Sequence, residues 1–246
     1  MRGLGTLVNL ATVAAGSLAG VALGDRLPAR MRATSLQGLG LVTIAVGVVG
    51  LEPLYDAQLG LRRFIITIGA VITGGIVGEL LDLEGRLERL GEALRRRFGV
   101  RDADGDLVHV KGHSRFAEGF VLASTVFCVG PLTILGAVED GLGISVRLLA
   151  IKSALDGFAS VGFASVYGWG VAASLLTIAV YQGALTAGAA LIADLITPEV
   201  IAQFGAIGSL LIIGIALRLL ELKAVRVVNL LPAVLIGALA AGLIPR

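Results

Sequence analysis

One cysteine (Cys128), two histidines, one tryptophan and 5% aromatic residues are spread over 246 positions, so few side chains suit redox, metal or stacking chemistry. A lone cysteine excludes a disulfide-stapled secreted fold. Charge is scarce as well: Asp, Glu, Lys and Arg make up 15% of the residues, where a soluble domain carries about 25%. Hydrophobic residues reach 56%, which excludes intrinsic disorder and an ordinary soluble globule. Glycine is what the chain has in excess, 35 residues, roughly twice average usage. With a mean hydropathy of +0.92, the pattern is that of a polytopic membrane protein.

A helix needs about 20 apolar residues to cross a bilayer. Eight stretches meet or approach that length: 5–24, 35–51, 64–81, 117–138, 146–166, 168–193, 200–220 and 227–244. The second and last are short, and the join at Tyr167-Gly168-Trp169-Gly170 carries no charge, so seven spans stays an open alternative. The expected fold is therefore all-α, with seven to eight transmembrane helices in a single transmembrane domain, 1–246. Continuous apolar runs without period-2 alternation exclude a porin-like barrel. The first run lacks the strongly basic flank of a signal peptide, and its Gly16, Gly20, Gly24 spacing suits helix packing.

Orientation follows from the loops. Counting from an external N-terminus, fourteen Lys and Arg fall in internal loops and five on the external side, with Lys152 left inside a span. Both termini are thus expected outside, in the periplasm if the cell is bacterial. The basic inner face suggests anionic lipid rather than nucleic acid as the neighbour.

The longest polar piece is 82–115. Leu83, Leu87, Leu90, Leu94 and Phe98 recur at helical spacing among Arg and Glu, which predicts an amphipathic cytoplasmic helix. It either docks on the inner leaflet through Arg95, Arg96 and Arg97 or simply extends the third span. A small hairpin turning at Asp104-Gly105 follows over 100–111. Asp102, Asp104 and Asp106 do not match a calcium loop, since the glycine comes one place early and no Glu follows at the required distance.

The chain also carries a weak internal duplicate. A shift of 167 residues sets Gly16 on Gly183, Gly38 on Gly205 and Gly47 on Gly214, and 69–78 lies over 232–241 at a shorter offset. Spans one to three thus resemble spans six to eight. An offset of five spans is odd, so the copies would cross the membrane in opposite directions, a construction that places a binding site between them at mid-membrane. Spans four and five stand outside the duplication.

Lys152 and Asp156 are the ionisable residues lying well inside a span. An unpaired charge there costs about 2.5–3.5 kcal/mol on insertion scales. Four apart on one helix, the two can neutralise each other. The pair is either a self-satisfied structural element or a carboxylate that binds a cation or proton, with the lysine as internal competitor. Ser160 lies one turn from Asp156. Tyr181 and Gln182 place hydrogen-bonding groups at depth in the sixth span, and Asn9 does so near the outer end of the first. Asn9 and Asn229 carry less weight, and the outer-mouth pair Glu139-Asp140 either attracts cations or is a solvated loop. Pro131 should interrupt the fourth span and free a carbonyl near Phe127. If a metal binds, Asp156 is its ligand. His109 and His113 have no zinc-type partners, and no phosphate-binding loop or dinucleotide fingerprint occurs. Neither enzyme chemistry nor a cofactor is expected.

Gly5-Thr-Leu-Val-Asn9, Phe127-Cys-Val-Gly130, Gly136-Ala-Val-Glu-Asp-Gly141, Lys152-Ser-Ala-Leu-Asp156-Gly, Tyr181-Gln-Gly183 and Asn229-Leu-Leu-Pro232-Ala occur in order across all the spans. Together they resemble the YqgA/YdfK-like bacterial membrane family, labelled a domain of unknown function (554). That resemblance implies a multi-pass protein of the bacterial cytoplasmic (inner) membrane and supplies no substrate. Ser153-Ala-Leu-Asp156-Gly-Phe-Ala-Ser-Val-Gly-Phe-Ala164 is also similar to the second half of MntP-type manganese exporters of the LysE-like superfamily, which implies metal transport through Asp156. The chain departs from that pattern in offering Asn9 where an N-terminal aspartate motif would stand, and in placing Lys152 beside the ligand.

The reading from sequence is a transporter or ion-conducting protein for a small cation or small solute, alternating access around Asp156 and Lys152, with Ser160, Tyr181, Gln182 and Asn9 lining the site. The rival is a non-transporting scaffold or sensor acting through its basic loop. Expected partners are membrane lipids and the transported species. The Gly-xxx-Gly faces are compatible with a homodimer and equally with packing inside one subunit.

Overall fold

The computed structural model describes residues 2–24, 26, 28–98 and 114–243. The hairpin expected at 100–111 and both histidines lie outside the described residues. Within them the chain is helical and contains no strand. The main helices are α1 (Leu4–Gly24), α2 (Ala29–Val49), α3 (Gly60–Leu80), α4 (Leu83–Phe98), α5 (Arg115–Cys128), α6 (Pro131–Leu142), α7 (Arg147–Tyr167), α8 (Trp169–Ala187), the single turn α9 (Ala189–Ile192), α10 (Pro198–Leu219) and α11 (Leu231–Leu243).

Among the described residues six helices are long and apolar enough to cross a membrane, and α5 with α6, bent by 63°, brings the number to seven if the pair is one span. The last expected span, 227–244, is the shorter apolar helix Val228–Leu243, which does not reach that length. The uncharged join at Tyr167-Gly168 is a true break. Gly168 adopts φ +65°, ψ −143°, a conformation that strains any residue with a Cβ, and so a glycine alone separates α7 from α8. The break in the fourth span falls where Pro131 predicts it: Val129 is extended, and Pro131 opens α6. Polar caps set other boundaries. Ser114 accepts from Ala117 N at the start of α5, and Thr197 accepts from Val200 N ahead of Pro198 in α10, the N-cap and first-position preferences of helices.

Glycine contacts fix the directions of packing. Gly16, Gly20 and Gly24 of α1 lie against Gly157, Val161 and Ser165 of α7, which makes those two helices parallel. Gly170 of α8 meets Phe116 of α5 while Thr177 bonds Ser124, so these two also run parallel. In contrast, α1 and α8, α2 and α10, and α3 and α11 pack antiparallel: Thr6 meets Thr186, Gly47 meets Ile213, and Gly74 meets Ala233. At Gly74 and Gly78 the approach is backbone to backbone, and a Cβ would overlap Ala233 and the Asn229 carbonyl. Phe127, Phe163, Ile178, Ile207 and Leu211 are buried at the centre.

Amphipathic α4 packs on α5 at one end of the bundle. Its backbone N–H at Glu84 donates to Asn229 Oδ1, so it is clamped to the bundle rather than continuing α3, from which Asp82 at φ +47° divides it.

Candidate functional site

The sequence places Lys152 and Asp156 one turn apart on α7, and the fold surrounds them. Their side chains form an ion pair, Lys152 Nζ donating to Asp156 Oδ2, with the residues 5% and 8% exposed. Asn9 of α1, fully buried, donates its Nδ2 to Gln182 Oε1 of α8 at 2.9 Å, and its amide lies near the Asp156 carboxylate. Gln182 Nε2 in turn donates to Thr6 Oγ1 at 3.2 Å, and Thr6 Oγ1 bonds Thr186 Oγ1 at 2.9 Å. Asp140 of α6 accepts Thr6 N at 3.2 Å. A buried polar track therefore runs from the end of the bundle opposite α4, through Asp140, Thr6, Gln182 and Asn9, to the pair.

Two oxygens on this track have no partner, Asn9 Oδ1 and Asp140 Oδ1. An unpaired buried acceptor costs about 1–3 kcal/mol. Such groups are retained where a ligand, ion or water completes them. Cys128, at the α5–α6 break, lies near enough for the charges of both Lys152 and Asp156 to act on it. The site thus sits where α1, α7, α8 and the broken span converge.

Not every residue expected in the site joins it. Ser160 is fully buried but donates to Gly157 O on its own helix and fills the α1–α7 contact against Gly16. It sits below the pair as packing. Tyr181, one residue from Gln182 and hence rotated by about 100°, lines a cleft with Cys128 and Thr177 instead of facing Asn9. The Phe127 carbonyl accepts the Thr133 hydroxyl at 3.4 Å, so it is not freed. Asn229 bonds Glu79 and the Glu84 backbone in a structural clamp. No cluster of three or more His, Cys, Asp or Glu able to hold a metal occurs among the described residues.

The family described as "Protein of unknown function (DUF554)" matches residues 4–241. The chain belongs to the DUF554 family. Among curated relatives, "Uncharacterized protein YqgA" of Escherichia coli (strain K12) is 30% identical over 241 residues, covering 95% of this chain and 94% of that protein. "Uncharacterized membrane protein YdfK" of Bacillus subtilis (strain 168) is 29% identical over 233 residues, covering 94% and 93% respectively. No solved structure matches. This DUF554 chain is a helical membrane protein, as its composition requires.

Two polar constellations escape a reading of the sequence. At the α4 end, Arg218 of α10 pairs with Glu84 of α4 at 3.0 Å and with Glu118 of α5 at 3.6 Å, joining three elements. Burial pushes the Glu84 carboxyl above its ordinary range, while Arg218 opposes that shift. At the opposite end, Arg63 of α3 grips both oxygens of Glu199 on α10 at 2.9 and 3.1 Å, and buried Gln203 donates to Thr67 at 2.7 Å. The available signal was a lone charge at the edge of an apolar run, Glu118 in 117–138 and Arg218 in 200–220. Topology counting uses such residues only as markers. Asp140 corrects an expectation: read as part of a solvated mouth, it is 1% exposed and anchors the first turn of α1.

Proposed function

We propose that this DUF554 protein is a secondary transporter for a small cation or small solute, with Asp156 as the binding carboxylate and Lys152 as its built-in competitor. The observation that carries the reading is a charged pair buried among four converging spans beside an unpaired amide oxygen, Asn9 Oδ1. Ionisable groups at such depth normally serve a pathway. A cation reaching Asp156 finds a carboxylate and must displace the Lys152 ammonium. Lys152 then swings away from Asp156 as the cation takes its place. The track through Gln182, Thr6 and Asp140 is the access route from the end opposite α4.

The broken span beside the pair supports the same reading, since discontinuous helices recur at transporter sites. The antiparallel pairing of α1 with α8, α2 with α10 and α3 with α11 supports opposed repeats. In this reading the α4 end faces the cytoplasm of a bacterium and the protein lies in the inner membrane. No covalent chemistry is part of the proposal.

The test is a thermal-shift screen of detergent-solubilised protein against protons, Na⁺, K⁺, Mg²⁺, Mn²⁺, Ca²⁺ and amino acids, on wild type and Asp156→Asn. A ligand specific for the folded state raises its stability by RT ln(1 + [L]/Kd). The proposal expects a ligand-dependent rise in wild type that Asp156→Asn lacks. No rise with any species, or equal rises in both proteins, would overturn it and favour the scaffold reading, in which the exposed Arg96 and Arg97 act.

A further inference from the structure

Beneath α4 lies a cleft of about 430 Å³ whose walls are almost wholly apolar. Leu83, Leu87 and Leu90 of α4 form its roof, Leu231 and Val234 of α11 one wall, and Val129 and Phe204 another. Its deep end reaches Cys128 and Tyr181, and its mouth holds Arg86. From Trp169, where α8 begins at the α4 end, to Tyr181 is twelve residues, or about 18 Å of helix. That is close to the depth of one leaflet, half of a hydrocarbon core about 30 Å thick. Exposed Leu90 and Leu235 on its lips open the cleft sideways, toward the bilayer.

Charge at the mouth is of one kind. Arg86 lies one turn from Leu83 and from Leu90, on the cleft face of α4, is exposed, and makes no ion pair among the described residues. Arg89 and Arg95, by contrast, are paired to Asp82 and Glu92. A leaflet-deep apolar slot with one uncommitted arginine at the interface matches an acyl chain below an anionic head group. We propose that this cleft is a binding site for one anionic phospholipid from the leaflet at the α4 end, its head group on Arg86 and one acyl chain running under α4 to Cys128 and Tyr181. Lipid binding in this cleft does not depend on transport: its lining includes neither Lys152 nor Asp156.

The experiment uses the full-length protein in nanodiscs containing phosphatidylglycerol with a photoactivatable diazirine near one chain terminus. After illumination, peptides are mapped by mass spectrometry, with phosphatidylcholine carrying the same group as comparison. Labelling is expected to concentrate on the peptides holding Cys128-Val129 and Tyr181, and to be about five-fold weaker for Arg86→Gln, the loss of one arginine contact to an anionic head group. Arg97→Gln, with an exposed arginine away from the cleft, should label like wild type. Leu235→Trp, which narrows the mouth from the outside, should reduce labelling by both lipids. Labels spread evenly over the lipid-facing residues of α2 and α3, such as Leu41 and Ile72, would overturn the proposal, as would identical labelling by the two lipids. So would equal losses in Arg86→Gln and Arg97→Gln, which would mean diffuse attraction to a basic surface.

Discussion

Replacing Lys152 by Met and Asp156 by Asn, singly and together, isolates the interaction on which the site depends. Removing one partner of a buried ion pair costs about 3–5 kcal/mol. In Lys152→Met the Asn9 amide still lies beside the carboxylate, and proton uptake can neutralise it, so the lower end, about 3 kcal/mol, is expected. Asp156→Asn leaves an ammonium at depth with no carboxylate to face, a burden of about 2.5–3.5 kcal/mol on insertion scales. For a chain of this size each single replacement should lower Tm by roughly 6–12 °C. The double variant carries neither charge and should lose no more than either single one, giving a coupling of about 3 kcal/mol, the upper end for residues in contact. Thermal unfolding in detergent, read from the fluorescence of the only tryptophan, Trp169, measures all four proteins. Additive losses, with the double variant about 6 kcal/mol below wild type, would refute the inference that the pair is mutually neutralising.

Glycine positions divide by what a Cβ would meet. Gly78→Ala drives into the Asn229 backbone and should separate α3 from α11 with a loss of several degrees in Tm, whereas Gly69→Ala, with open space around it, should be neutral or stabilising by about 0.5–1 kcal/mol. Gly168→Ala, forced to φ +65°, should cost about 1–3 kcal/mol in the same assay. Glu199→Gln breaks the two-pronged contact from Arg63 and should cost about 1 kcal/mol, with less effect at high salt. Glu84 has a carboxyl raised by burial, so its protonated form is favoured in the docked helix. Its contribution is present below the usual Glu value near 4.3 and is lost as pH rises through the raised one, so a spin label at Ala93 should become more mobile as pH rises from about 4 toward neutrality. Unchanged mobility across that range would count against α4 docking through Glu84.

The spans were legible because each is an apolar run long enough to cross a bilayer, and the broken fourth span because Pro131 cannot continue a helix. Lys152 and Asp156 were legible as a pair because the helical repeat brings residues four apart together. The separation of α7 from α8 was read correctly, with a merged span left open as an alternative, since a turn made by one positive-φ glycine carries no charge and no proline to mark it. The amide contact of Asn9 with Gln182 joins residues 173 positions apart and has no local signature. The same holds for Arg218 with Glu84 and Glu118. Tyr181 was placed in the site by depth and Ser160 by its spacing one turn from Asp156, but neither signal tells which neighbour a side chain meets. Rotation turns Tyr181 into the cleft, while Ser160 packs at the α1–α7 contact. Asp140 looked solvated because it sits near a chain reversal, where only tertiary packing reveals that α1 covers it.

Flux through the reconstituted protein is the most direct test of the central claim. Proteoliposomes loaded with a pH-sensitive dye would be exposed to an inward gradient of each cation from the ligand screen, using wild type and Asp156→Asn inserted in equal amounts. The account predicts cation-dependent flux or proton movement in wild type that Asp156→Asn abolishes. Flux in Asp156→Asn equal to that of wild type would contradict it.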